Sequence, residues 1–380
     1  MTTTGTSQSR RPTAVSARAL GPDLARGLLL LFIALANSHS FLETPGEKQI
    51  RAMPIVTSLV DKVVALLNTV LVDGRSYTMF AALFGYGLVQ LTRREDAAGN
   101  DWTQTRKLLR RRGRWLVVFG VLHAILLFVG DILAAYGLLA VVLAGAVRWS
   151  DRRLLIGVGV WTILGATLYG LLSMPMILDH GPESLFAGML ERSWMVLFTA
   201  PLFAVTAAAA FLLGIWAGRR RLLENPPAGL SKFVALGIGL SVAGGLPLAL
   251  YIAGFADRPE AFPVMVAGFV HAMTGLAGGP AYALLIAILV QRLRAPYGPV
   301  VTALQATGQR SMTCYLTQSV VWYVAFSPYL LDLASSLRLW QTALLAIGTW
   351  AFTVVIAEGM RRMGWRGPFE VLLRRLTYRR

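Results

Sequence analysis

The chain has 380 residues, of which 56% are hydrophobic and only 14% are charged, whereas soluble domains carry about 25% charged residues. This composition excludes a soluble globular domain and predicts a membrane protein. The net charge is +17, but the basic residues cluster at the ends of apolar segments. There they indicate a lipid bilayer with anionic inner-leaflet lipids, and not nucleic acid, as the partner. The lone Cys314 excludes an intrachain disulfide framework.

Ten apolar segments follow one another along the chain. They lie at 24–42, 76–92, 115–130, 132–148, 154–173, 196–217, 233–255, 264–291, 311–333 and 339–360. With a cytoplasmic N-terminus, all but seven of the 36 Lys and Arg residues fall on the cytoplasmic side, as the positive-inside rule requires. The sequence therefore predicts an all-α polytopic membrane helical bundle with about ten transmembrane helices and both termini cytoplasmic.

The same pattern predicts one integral membrane unit in three parts. Residues 1–23 form a cytoplasmic N-terminal tail, 24–220 an N-terminal transmembrane bundle and 221–380 a C-terminal transmembrane region. The tail at 366–380 alternates arginines with aromatic and aliphatic residues. This alternation is typical of an amphipathic helix on an anionic inner leaflet.

The apolar segment at 55–74 is ambiguous. If it spanned the membrane, either the basic N-terminus or the arginine-rich loop at 93–114 would lie outside. Asp61 and Lys62 also interrupt it. We interpret it as an amphipathic helix that lies on the outer face or re-enters the membrane from that face. An eleventh span remains the alternative.

The stretch "HAILLFVGDILAAYGL" at 123–138 places ionisable groups inside an apolar run. As one helix, 115–147 would be about 50 Å long, against a hydrocarbon core of about 30 Å. The chain must therefore turn back, and Gly130 followed by Asp131 supplies the turn. This places His123 about two helical turns deep in the membrane. For Asp131, capping of the next helix is the alternative to a chemical role.

All four histidines are predicted to lie in the outer half of the membrane or outside it. These are His39, His123, His180 and His271, and Asn37 neighbours the first of them. Intramembrane polar groups are costly and tend to line sites or pathways, so their shared depth favours one outward-facing cavity. Hydrogen bonds that only hold helices together are the alternative for each.

Two helix ends on the cytoplasmic side are polar. Asp23 and Arg26 are three residues apart and share a helix face, either as part of a site or as an interfacial ion pair. The ninth span begins with "GQRSMTCYLTQS" at 308–319, which includes Tyr315 and Gln318. So polar an entry indicates contact with protein or water instead of lipid.

Five motifs in order resemble those of the YeiB-like family (domain of unknown function 418) of bacterial inner-membrane proteins. They are "DLARGLLLLFIALAN" at 23–37, "LFGYG" at 83–87, "LVVFGVLHAILLFVGDILAAYGL" at 116–138, "RSMTCYLTQS" at 310–319 and "GPFEVLLRRLTY" at 367–378. The resemblance implies a multi-pass protein of the bacterial plasma membrane. It also implies a distant similarity to transmembrane acyltransferases of the heparan-glucosaminide acetyltransferase-like and acyltransferase-3 groups. In those, a span beginning D-x-x-R-G carries Asn or His eleven residues after Arg, where this chain has Asn37.

This similarity implies transfer of an acyl group from cytoplasmic acyl-CoA to an outer-face acceptor, an envelope glycan or lipid. His123 or His39 would act as general base or take the acyl group. Asp131 would orient the imidazole, and Asn37 or Tyr136 would stabilise the oxyanion. The candidates for substrate binding are Tyr136, His271, Tyr315, Gln318 and Arg26, and no metal site is predicted.

Two other functions remain open from the sequence. The same His and Asp residues suit a transporter or exporter of a small molecule, in which they bind substrate or relay protons. A membrane protein without catalytic activity is the further alternative.

Overall fold

The computed structural model describes residues 20–42, 46–177, 184–257 and 260–378. The helices are α1 (Leu20–Ser38), α2 (Leu59–Leu67), α3 (Arg75–Ala97), α4 (Trp102–Leu126), α5 (Leu133–Val142), α6 (Asp151–Leu171), α7 (Leu185–Arg219), α8 (Leu230–Ile252), α9 (Ala261–Val290), α10 (Pro299–Gln309), α11 (Ser311–Phe326), α12 (Leu339–Arg362) and α13 (Pro368–Tyr378). Most of the predicted N-terminal tail and His180 lie outside the described residues.

Short elements complete the fold. There are 3₁₀-helices at His39–Phe41 and Ala144–Arg148 and a π-helix at Asn68–Val72. Strands β1 (Lys48–Gln49) and β2 (Met176–Ile177) pair antiparallel, with Lys48 opposite Ile177. The prediction of a helical membrane protein is confirmed.

Among the described residues, six helices are long and apolar enough to cross a membrane. They are α1 with the 3₁₀-helix after it, α6, α7, α8, α9 and α12. The other four predicted spans also contain helix, but α5 has 10 residues and α11 has 16, which is shorter than the roughly 20 residues of a full span. The count of ten spans and the side of the termini remain predictions.

The bundle has two ends of different character. Arginines of α3, α4 and α13, together with Arg310 between α10 and α11, surround one cavity, and we call this the basic end. At the opposite, distal end, the 3₁₀-helix after α1 meets the α4–α5 turn, where the rings of Phe41 and Phe128 lie 4.9 Å apart. Trp340 at the start of α12 contacts α2 there, since its backbone N–H donates to Asp61 (3.0 Å).

The segment at 55–74 forms α2 and the π-helix, which together have 14 residues and are about 21 Å long. This is shorter than the hydrocarbon core of about 30 Å. Leu59 and Val60 are exposed, whereas Asp61 is buried. The helix therefore presents its apolar face outward. The π-helix ends at Val72, and Gly74, whose φ of +76° favours glycine, directly precedes α3.

The turn predicted between α4 and α5 is present. The first helix ends at Leu126 and the second begins at Leu133. Gly120 faces the N-terminus of α5 so closely that a Cβ atom there would overlap the backbone nitrogen of Ala134. Close packing of this kind is why small residues recur at helix contacts in membranes.

The predicted basic tail forms α13, which packs on α4 and α11. Glu370 accepts hydrogen bonds from the backbone N–H groups of Met312 (2.8 Å) and Thr313 (3.0 Å) at the N-terminus of α11. A carboxylate is favoured at this positive end of a helix. This contact fixes α13 against the basic end of the bundle.

Candidate functional site

The structure brings His123 and Asp131 together. Nδ1 of His123 lies 2.8 Å from Oδ1 of Asp131, and both side chains are 1% exposed. The other carboxylate oxygen accepts the backbone N–H of Ala134 (2.6 Å). Asp131 is therefore both a helix cap and a partner of the imidazole, so the two interpretations of this residue are compatible.

This contact determines the protonation pattern of a neutral imidazole. Since the carboxylate of Asp131 can only accept, Nδ1 of His123 carries the proton and Nε2 keeps its lone pair. Nε2 is buried and has no hydrogen-bond partner among the described residues. A histidine in this state is suited to take a proton from a substrate.

A cavity of about 1200 Å³ opens at the basic end. It is larger than the roughly 300–1,000 Å³ of ordinary small-molecule sites. Its wall contains nine arginines and three acidic residues. The arginines are Arg26, Arg93, Arg94, Arg112, Arg221, Arg310, Arg366, Arg374 and Arg375, and the acids are Asp23, Glu224 and Glu370. Such an excess of positive charge attracts anionic ligands.

The inner part of the cavity is aromatic and apolar. Phe80, Phe84, Tyr136 and Tyr315 line it, and the ring of Tyr315 lies 5.1 Å from that of His123. The hydroxyl of Tyr136 donates to the backbone carbonyl of Tyr77 (2.9 Å). The arginine-lined cavity thus extends to a tyrosine that contacts His123.

Two more predicted site residues lie on helices that border this cavity. Arg26 lines it and pairs with Asp23 (3.1 Å), as their spacing on α1 indicated. Gln318 follows Tyr315 by one turn of α11 and donates to the carbonyl of Leu30 on α1 (3.3 Å). Its Oε1 is buried without a hydrogen-bond partner among the described residues.

His271 lies in a different cluster, which we call the distal cluster and define as Arg51, Asp73, Arg75, Tyr169 and His271. Nη1 of Arg75 lies 2.9 Å from Nε2 of His271, whose ring stacks on Tyr169 at 5.4 Å. The hydroxyl of Tyr169 donates to Asp73 (2.7 Å). The described histidines thus divide between two places in the bundle and do not converge on one cavity.

His39 contacts the distal cluster through the backbone. Its Nε2 lies 3.3 Å from the carbonyl oxygen of Arg51, and its Nδ1 lies 3.5 Å from Asn68. Asn37 is half-buried near the end of α1. Among the described residues, no hydrogen bond or ion pair joins Asn37 to His123 or Asp131. The place of His39 and Asn37 in a common site with the His123–Asp131 pair therefore stays a prediction.

Sequence reasoning missed most of the distal cluster. Asp73 and Arg75 flank Gly74 at the end of an apolar run, and this juxtaposition of opposite charges was a usable signal. Arg51 and Tyr169 come from distant segments. Only the packing of α6 near the start of α3 brings them together.

These features define a class: a helical membrane protein with a basic cavity at one end, whose inner wall includes a tyrosine that contacts a buried His–Asp pair. The predicted family resemblance is confirmed, because residues 217–380 match the family model described as "Protein of unknown function (DUF418)". The matched region contains Tyr315 and Gln318, whereas the His123–Asp131 pair precedes it.

Two bacterial proteins are similar to the chain. The uncharacterized protein YxaH of Bacillus subtilis (strain 168) is 25% identical over 97% of this chain and 96% of its own length. The uncharacterized protein YeiB of Escherichia coli (strain K12) is 37% identical over 98 residues, which are 23% of each protein. The similarity to YxaH thus extends over nearly the whole chain.

Proposed function

We propose that the protein transfers an acyl group from an acyl-CoA bound at the basic end to an envelope glycan or lipid presented at the distal end. The observation that carries this proposal is the continuity of the cavity from nine arginines to Tyr315, which contacts His123. The positive-inside rule assigns the basic end to the cytoplasm, where acyl-CoA is available.

The mouth of the cavity suits the phosphates of coenzyme A. Guanidinium groups bind phosphate through paired hydrogen bonds, and here they outnumber the carboxylates in the wall by nine to three. Phe80 and Arg93 both line the cavity and are 13 residues apart on α3, so it extends about 20 Å along the bundle. A long, narrow ligand with an anionic head and an apolar acyl end matches this shape.

The proposed chemistry uses the free Nε2 of His123. It takes the proton of an acceptor hydroxyl or amine while the acceptor oxygen or nitrogen bonds to the acyl carbon. The carbon–sulfur bond then breaks, and the thiolate of CoA takes the proton from the imidazolium. Asp131 holds the imidazole in the required tautomer and stabilises its positive charge.

A hydroxyl near His123 would stabilise the oxyanion of the transition state. Tyr315 both lines the cavity and contacts His123. Tyr136 already donates to Tyr77, and Asn37 has no hydrogen bond to the His–Asp pair among the described residues. We assign the oxyanion role to Tyr315 in this scheme because it contacts His123, and its hydroxyl also interacts with Asp131.

Labelled acetyl-CoA supplied to membrane vesicles tests the proposal. We expect label to enter an envelope component, and His123→Ala to lower the initial rate by about 10²-fold or more, as is usual for a general base. Asp131→Asn is expected to lower it at least tenfold. The matched control is Asp61→Asn, since Asp61 is also a buried aspartate that accepts a backbone N–H at a helix N-terminus, that of Trp340, but does not line the cavity. Full activity in both site variants would refute the proposed mechanism.

A second experiment addresses the mouth of the cavity. Arg374→Gln combined with Arg375→Gln should raise the KM for acetyl-CoA about tenfold and leave kcat within twofold, since partly exposed arginine–phosphate contacts contribute modestly to binding. Arg219→Gln with Arg220→Gln is the control, because these arginines pair with Asp151 outside the cavity. An unchanged KM in the cavity variant would contradict the assignment of the donor site.

A transporter is the second candidate, favoured by the interruption of the helix between the π-helix and α3. Buried Arg75 lies at this break and donates to the carbonyls of Thr69 and Asp73, and broken helices with charged groups are typical of transporter binding sites. Substrate flux across proteoliposomes without covalent labelling of any acceptor would favour this function over acyl transfer.

A further inference from the structure

We propose that the distal cluster is a second binding site, which takes a phosphate-type oxyanion on the guanidinium of Arg51. The oxyanion is either a free anion or the headgroup of an anionic lipid. This site lies at the opposite end of the bundle from the basic cavity, and its function does not depend on acyl transfer.

Arg51 has a poorly paired guanidinium. Its Nη2 lies 3.8 Å from Oδ1 of Asp73, which is beyond hydrogen-bond distance. Its Nε is buried and has no hydrogen-bond partner among the described residues. The group lies 4.1 Å from the centre of the Tyr169 ring and also interacts with the hydroxyl of that tyrosine, so Tyr169 holds it in position. A guanidinium group binds an oxyanion through two parallel N–H donors. In Arg51 these donors are therefore not all used.

Both oxygens of the Asp73 carboxylate are engaged by other donors, and the nearer one lies 3.8 Å from Arg51. Oδ1 accepts the backbone N–H of Gly74 (2.8 Å) and Oδ2 accepts the hydroxyl of Tyr169 (2.7 Å). These contacts fix the carboxylate near the start of α3. It compensates the charge of Arg51 without forming a close ion pair with it.

Arg75 adds a second positive charge to the same cluster. It is completely buried, and its hydrogen bonds go to neutral acceptors, including Ser241 Oγ (2.8 Å) and the carbonyl of Asp73 (2.8 Å). Among the groups that act electrostatically on Arg51 or Arg75, Asp73 is the one carboxylate in the described part of the chain. With neutral histidines, two guanidinium groups face one carboxylate, and an uncompensated buried charge is costly.

The backbone presents Arg51 in an unusual conformation. Arg51 and Ala52 have φ values of 57° and 54°, in the left-handed region that non-glycine residues rarely adopt. The Arg51 carbonyl faces Nε2 of His39. Strained residues of this kind persist where surrounding structure holds them, often at ligand sites. The Arg51 side chain is 24% exposed, so an anion from the distal side can reach it.

Together these observations identify the ligand class. An oxyanion on Arg51 would supply the missing negative charge and an acceptor for the unpartnered Nε. A neutral ligand would leave the charge imbalance unchanged. A cation is disfavoured by two nearby guanidinium groups.

The test is the thermal unfolding of the purified full chain in phosphatidylcholine nanodiscs, titrated with inorganic phosphate. We expect a saturable rise in the unfolding midpoint, part of which is lost in Arg51→Gln. The matched control is Arg148→Gln, because Arg148 also lies over an aromatic ring, Trp102, and pairs with an aspartate, Asp96. An Arg51→Gln response equal to the wild-type response would overturn the proposal.

Phosphate is also expected to bind the arginines of the basic cavity, so the part of the shift in unfolding midpoint that depends on Arg51 must be separated from theirs. It should persist unchanged in the Arg374→Gln, Arg375→Gln background, since distant sites contribute additively. Its loss in that background would overturn the proposal. Because the readout is unfolding and not acyl transfer, this result is independent of the proposed activity.

Asp73→Asn provides a test that does not require the Arg51 variant to fold. The substitution keeps the size and shape of the side chain but removes its negative charge, which competes with phosphate for Arg51. Phosphate should therefore bind at least threefold more tightly. Unchanged or weaker binding would contradict the site.

Nanodiscs that contain phosphatidylglycerol distinguish the two sources of the anion. If the lipid headgroup occupies the site, these discs raise the wild-type midpoint, leave Arg51→Gln unchanged and remove the Arg51-dependent phosphate response. If the response to phosphate persists in them, the ligand is a soluble anion. Both results support an oxyanion site at Arg51.

Discussion

Gly120 controls the geometry of the His123–Asp131 pair although it has no polar side chain. It lies one turn before His123 on α4 and faces Ala134, whose backbone N–H donates to Asp131. Any side chain at this position would push α5 away from α4. The separation of the imidazole and the carboxylate therefore depends on the absence of a single methyl group.

We expect Gly120→Ala to destabilise the protein by about 1–3 kcal/mol, since overpacking a close helix contact has this cost, and to lower the proposed acyl transfer as well. Gly159→Ala is the matched control, because a Cβ atom at Gly159 of α6 meets no other atom within 4 Å. That change should be neutral or stabilise by up to about 1 kcal/mol. Equal unfolding midpoints for the two variants would show that α4 and α5 do not pack as closely as described.

Among single residues, those that could be predicted from the sequence are polar or ionisable residues with apolar neighbours. His123 and Asp131 stood out because they interrupt an apolar run, and their proximity follows from one local turn. Arg51 and Tyr169 were not identified, because an arginine in a loop and a tyrosine in a span are each unremarkable alone. Their relation depends on contacts between segments more than 100 residues apart, which no local pattern encodes.

Helix α13 is an element whose position depends on a few polar contacts with the bundle. Besides the contacts of Glu370 with α11, the hydroxyl of Tyr378 donates to Glu95 at the end of α3 (3.0 Å). Burial, and then the neighbouring carboxylate of Glu95, raises the pKa of Tyr378, so this phenol remains a hydrogen-bond donor at neutral pH. Leu373 of α13 is buried on the face that packs against the bundle. Helix α13 is thus a wall of the basic cavity.

Glu370→Gln should loosen this wall, because the loss of the negative charge at the α11 N-terminus costs about 0.3–2 kcal/mol. Hydrogen–deuterium exchange should become faster in α13 and in the first turn of α11. The control is Glu358→Gln, since Glu358 of α12 pairs with Arg361 and Arg362 of its own helix. Unaltered exchange in the Glu370 variant would mean that apolar packing alone holds α13.

Helices and turns with charged residues at both ends were those whose positions could be predicted from the sequence. The α4–α5 turn was predicted because arginines at both ends of 115–147 demanded an even number of crossings. Helix α7 was predicted at 196–217 but begins at Leu185, because Glu191 and Arg192 interrupt the apolar run without ending the helix. Arg192 instead donates to the carbonyl of Ile125 (2.8 Å) at the end of α4, a tertiary contact that hydropathy does not reveal.

For the whole molecule, the asymmetry of charge predicts its orientation. If the basic end is cytoplasmic, Thr57→Cys at the distal end should react with a membrane-impermeant maleimide in intact cells, whereas Asn225→Cys should react only after the cells are opened. Both positions are exposed. The wild-type chain is the control, because its Cys314 is buried. The opposite labelling pattern would show that the basic end lies outside the cytoplasm. It would then exclude cytoplasmic acyl-CoA as the donor.

The depth of the basic cavity also has an electrical consequence. If the arginines in its wall keep it hydrated, the potential inside it would follow that of the basic side, and the membrane voltage would fall mainly across the layer beyond Tyr136. One elementary charge that crosses this layer exchanges about 2.3 kcal/mol with the field per 100 mV. An acyl group carries no charge. Its transfer should therefore proceed at the same rate whether the membrane is energised or not, whereas movement of an anion through the same layer would follow the voltage.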